Sequence, residues 1–128
     1  VYVFWGADHF HAVLEATKSV ASRIREMTGS GADGSALVTE AFSLGKTGVP
    51  IVAINQLRNE TEKSEQTGFM NLLIGLFGTF RNPTAHAAKI EWEMPEEDAL
   101  DILGLISLVH RKLDGAPIKL TTSVENMR

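Results

Sequence analysis

The stretch "TGFMNLLIGLFGTFRNPTAH", residues 67–86, decides the fold, because it carries a helical period, two internal glycines and an abrupt stop. Phe69, Leu72, Leu73, Leu76, Phe77 and Phe80 recur at steps of three and four, the spacing that gathers side chains on one face of an α-helix. Gly75 and Gly78 each weaken such a helix by about 1 kcal/mol relative to alanine, which predicts that a neighbouring backbone or helix approaches closely there. Pro83 has no amide hydrogen and its ring meets the preceding turn, so one continuous helix cannot run through it. At the first position of a new helix the same proline fits, with Asn82 as its cap. A helix from Thr61, where Glu62, Ser64 and Glu65 suit a helix start, to Phe80 is therefore expected, followed by another beginning at Pro83.

The flanking sequence has the same helical character. Phe10, Val13, Leu14, the methyl of Thr17, Val20, Ala21, Ile24 and Met27 form one apolar face, with Asp8 as expected cap and Gly29 as stop. Residues 29–34 form a turn, and Asp33 caps a short helix over Ser35 to Phe42. Gly45, Gly48 and Pro50 mark a loop, and "IVAIN", residues 51–55, suits a buried turn or a very short strand. A last helix starts with Pro95 at its first position, has Glu96, Glu97 and Asp98 at its positive end, and has Arg111 and Lys112 before Gly115. Its apolar residues, Leu100 through Leu113, cover most of the circumference, which predicts a central helix or one covered by a partner chain.

A chain of 128 residues with 44% apolar and 22% charged residues suits one folded domain. We place it at residues 6–116, with 1–5 as a lead from a longer upstream region and 117–128 as a tail. No cysteine is present, which excludes disulfides and thiolate metal sites and fits a cytoplasmic setting. No apolar run reaches the length of a membrane span. The net charge of −4 opposes broad coating of nucleic acid. The charge is uneven, however: residues 66–90 hold Arg81 and Lys89 and no acid, whereas 91–101 hold six acids and no base.

In "FRNPTAH", His86 falls in the first turn after Asn82-Pro83, where free backbone amides and the helix dipole attract anions. Arg81 stands just before that turn and could grip the same anion with two parallel hydrogen bonds. The dipole keeps His86 neutral, as a general base requires, and Arg81 would stabilise the charge gathering on an attacked phosphorus. On the residues alone a plainer reading stays open: Asn82-Pro83 joins two helices, Arg81 pairs with a carboxylate, and His86 fills a half-buried corner.

"FRNPTAH" resembles the arginine-polar-x3-histidine signature of the HEPN superfamily. "HFHAVLEATKSVASRIREMTG", "DGSALVTEAF" and "DALDILGLISLVHRKLD" extend the similarity to its phage- and prokaryote-associated Ymh-like subgroup, over about residues 6–116. The resemblance implies an all-α, up-down bundle of about four main helices plus a short one, dimerising so that Arg81 and His86 of both chains meet in one cleft. It further implies a metal-independent endoribonuclease of defence or toxin type, with no cofactor, RNA as substrate, and an antitoxin or regulatory protein as a further partner. A non-catalytic HEPN-like module that binds RNA, a nucleotide or a protein is the alternative. Asn82 matches the polar position after the arginine, and Glu15 is the candidate acid that orients Arg81.

Other features favour structural roles. Glu15 and Lys18 suit a solvated charge pair as well as a supporting acid. His9 and His11 alternate and face different sides of a helix, without a third ligand. His110 stands near a helix end, where the dipole favours its charged form. Thr28 to Gly34 lacks the lysine of a phosphate-binding loop, and Trp5 and Trp92 suit packing.

Overall fold

The computed structural model describes residues 5–81 and 93–116, with side chains from His9 to Phe80 and from Glu93 to Ala116. Among these residues the chain is all-helical and contains no strand. The elements are α1 (Trp5–Thr28), α2 (Gly34–Phe42), α3 (Glu60–Leu76), a π-helical turn (Phe77–Arg81) and α4 (Glu96–Asp114). The helix expected from Pro83 lies outside the described residues, as do the residue 1–4 part of the lead and the 117–128 tail.

The apolar period of α1 is its buried face. Phe10, Val13, Val20, Ala21 and Ile24 are fully buried, and so is Thr17, whose hydroxyl donates to the Val13 carbonyl at 2.7 Å. Asp8 lies inside α1, which begins at Trp5, so the expected cap is corrected. Gly29 ends the helix with φ +73°, a conformation in which a side chain would be strained. Asp33 caps α2 as expected, its carboxylate accepting the Gly34 amide at 2.9 Å.

The start of α3 is also corrected. The cap is Asn59, whose side chain accepts the Glu62 amide at 2.9 Å, while Glu62 accepts the Arg58 amide at 2.8 Å. These reciprocal bonds satisfy two free donors together, and Thr61 already lies within the helix. Downstream, α-helical bonding stops at Leu76, and the expected continuation to Phe80 becomes the π turn. Beyond the adjoining helix backbone, no described atom lies within 4 Å of where a Cβ would sit on Gly75 or Gly78. Close approach is thus not their role among the described residues. Their low helix propensity falls where the bonding pattern widens.

"IVAIN" is a bent segment rather than a strand. The Val52 amide donates to the Ala41 carbonyl at 2.9 Å. Gln66, fully buried on α3, holds the rest: its Oε1 accepts the Ile54 amide, and its Nε2 donates to the Phe42 and Val52 carbonyls.

All four helices contribute to the main core, where Phe42 and Phe69 meet edge to face at 5.5 Å. A smaller core joins Val13, Met94 and Ala99, with Phe80, Ile102 and Leu103 packed against it. Pro95 is the cap of α4, with ψ 149°, rather than its first helical residue. Ala99, Ile106, Val109 and Leu113 are buried, but Leu100 is 59% exposed and Leu108 39% exposed. Among the described residues α4 is therefore one-sided, not central. Among the described residues no helix is long and apolar enough to cross a membrane.

Candidate functional site

The candidate site is built on the π turn. Phe77 is fully buried in the main core, and Phe80, three residues on, packs against both cores. Arg81 is the last residue of the turn, so its backbone follows directly from this aromatic anchor. The Arg81 side chain, Asn82 and His86 lie outside the described residues. The proximity of the guanidinium and imidazole predicted from the sequence is therefore not part of the described geometry.

Beside the anchor is an open cavity of about 460 Å³. Phe80, Met94, Pro95 and Ile102 supply its apolar lining, and Glu93, Asp98 and Asp101 its polar lining. All three acids are exposed. His9 reaches across from α1, with Nδ1 3.2 Å from the Met94 carbonyl, and so ties the segment before α4 to the bundle. The lining is acidic where an anion site would be helped by cations. Each carboxylate repels phosphate over roughly one screening length, about 10 Å at 0.1 M salt.

Glu15, the expected supporting acid, sits on the exposed face of α1, 3.4 Å from Lys18 and 4.0 Å from His11. This is the solvated charge pair that helical spacing allows. His9 and His11 diverge as expected, one toward Met94 and the other toward Glu15. Among the described residues no group of three or more histidines and acids could hold a metal ion.

The sequence reading missed a polar clasp between α1 and α4. Arg23 contacts Nδ1 of His110 at 3.0 Å, its carbonyl at 3.2 Å and Asp114 at 2.6 Å, while Ser19 Oγ lies 3.2 Å from His110 Nε2. Burial, aided by the Arg23 charge, lowers the His110 pKa below its usual 6.5, against a smaller opposing effect of Asp114. The expected dipole-stabilised imidazolium is thereby corrected. Nothing local signals this clasp, since Arg23 and His110 stand far apart in the chain. Ser19 donates its hydrogen to the Ala16 carbonyl at 2.6 Å, so the pair is not poised as nucleophile and base.

A family model described as "Protein of unknown function (Hypoth_ymh)" matches residues 4–113. No curated protein and no solved structure matches the chain.

Proposed function

The chain belongs to the Hypoth_Ymh family, and we propose that it is a metal-independent endoribonuclease of prokaryotic defence or toxin type. His86 takes the proton from a ribose 2′-hydroxyl as that oxygen attacks the adjacent phosphorus. The bond to the 5′-oxygen then breaks, and the departing oxygen receives a proton from an imidazolium. Arg81 stabilises the added charge on the phosphorane, and the contribution of the base is typically ~10²- to 10⁴-fold. Asn82 is a supporting residue, and Glu15 would join it by exchanging its exposed Lys18 pair for Arg81.

The observation that carries this reading is the mounting of Arg81. It ends a π turn whose two phenylalanines are packed into the protein, and such turns recur at functional sites. The "FRNPTAH" signature supports a HEPN-like up-down bundle, a homodimer with a shared cleft, and an antitoxin or regulatory protein as partner, and the absence of cysteine supports a cytoplasmic setting. A second reading is a non-catalytic module that binds RNA, a nucleotide or a protein; the acids Glu93, Asp98 and Asp101 beside Phe80 favour its protein-binding form, because carboxylates repel phosphate.

RNA cleavage by the purified protein in excess EDTA tests the proposal. Arg81→Ala and His86→Ala are expected to lose about 10²-fold or more while keeping the helical content of the parent. Undiminished cleavage in both variants removes these residues from the chemistry, and absence of cleavage in the parent with retained RNA binding favours the binding module.

A further inference from the structure

We propose that the outward face of α4 is an interface between two copies of this chain, crossing antiparallel with Gly104 at the twofold axis. At 3.6 residues per turn, Gly104 points away from the buried stripe of Ala99, Ile106, Val109 and Leu113. Leu100 and Leu108 stand about one turn to either side of it and are the large exposed apolar residues of α4. Beyond the adjoining backbone of α4 itself, no described atom lies within 4 Å of a Cβ built on Gly104, so another helix can come close there.

The face is self-complementary in one orientation only. When two copies cross antiparallel about Gly104, Leu100 of each meets Leu108 of the other, and Glu97 of each meets Arg111 of the other. Parallel pairing instead sets like charges together. Helix-end electrostatics explain why acids begin α4 and bases end it. They do not explain two exposed leucines spaced equally around a glycine, whereas a twofold contact between identical patches does.

One helix face is smaller than the roughly 800 Å² per partner of a stable interface, so the association should be weak and concentration-dependent. The two starts of α4 fall about 24 Å apart along such a crossing. Neither Arg81 nor His86 belongs to α4. This face is distinct from the shared cleft of the nuclease reading and does not depend on that reading.

The chain has no cysteine, so a single Gly104→Cys reports on this face alone, its sulfurs coming within bonding reach only at the axis. Under mild oxidation at tens of micromolar protein, Gly104→Cys should form a disulfide-linked pair faster than Ser22→Cys, on the exposed side of α1. In sedimentation, Leu100→Glu/Leu108→Glu should lower the association state with helical content retained. Glu97→Arg and Arg111→Glu should each weaken association at low salt, and their combination should restore it. Equal cross-linking of the two cysteine variants, or parent-like sedimentation of the leucine double variant, overturns the proposal.

Discussion

The Arg23 guanidinium donates to Nδ1 of His110 at 3.0 Å across the seam between α1 and α4, which fixes the imidazole in its neutral form with the hydrogen on Nε2. That hydrogen faces Ser19 Oγ at 3.2 Å, and the serine passes its own to the Ala16 carbonyl. A second proton, on Nδ1, would point at the guanidinium.

The seam should therefore weaken in acid. Because the folded state lowers the His110 pKa below 6.5, the unfolded chain binds the proton first. The stabilising contribution is complete above pH 6.5 and is lost as pH falls from there through the lower folded value. Thermal midpoints between pH 8 and 5 should decline, and His110→Gln should flatten that part of the decline. An NMR titration that places the His110 midpoint at or above 6.5 contradicts the assignment.

Gln66 should be among the costliest polar positions to replace. Its amide satisfies the Ile54 amide at 2.9 Å and the Phe42 and Val52 carbonyls at 3.0 and 2.9 Å. Gln66→Leu keeps the volume but abandons three backbone groups, of which even one orphaned and buried costs about 1–3 kcal/mol. Urea unfolding should show a loss of at least about 2 kcal/mol. A loss below about 0.5 kcal/mol would mean that water replaces the amide.

The true cap of α3 can be separated from its neighbour by two alanine variants. Asn59→Ala removes the acceptor of the Glu62 amide and should cost about 1 kcal/mol. Thr61→Ala, at an exposed helical position, should change stability by no more than about 0.5 kcal/mol. Equal losses would place the helix start elsewhere.

Local periodicity read well in this sequence, whereas helix caps read only in part and long-range contacts did not. The three-and-four spacing from Phe10 to Met27 gave the buried face of α1, and Asp33 gave the cap of α2, because each depends on residues within a turn or two. Asn59 and Thr61 are both good cap residues, and the choice between them rests on the bonds that Glu62 makes back to Arg58. The role of Gln66 required knowing that residues 42, 52 and 54 surround it. The π turn was hidden because Phe77 and Phe80 satisfy α-helical spacing as well, and only the wider backbone bonding from Phe77 to Arg81 distinguishes the geometries. At the candidate site, sequence supplied the Arg81 and His86 signature, and the structure added the aromatic mount and the acidic cavity beside it.

If RNA approaches Arg81 over that cavity, its acids set the affinity at low salt. Asp98→Asn/Asp101→Asn removes two negative charges from the exposed lining without touching the proposed reacting groups. KM for RNA should fall several-fold at about 0.05 M salt, with kcat nearly unchanged. The gain should fade toward 1 M, where the screening length shrinks to about 3 Å. Asp98 also lies in the first turn of α4, where an acid complements the helix dipole by about 0.3–1 kcal/mol. The same variant should therefore unfold at a slightly lower temperature while binding RNA more tightly, and these opposite signs separate an electrostatic effect on substrate from a general change in the fold. An unchanged KM at low salt would show that RNA takes another route to Arg81.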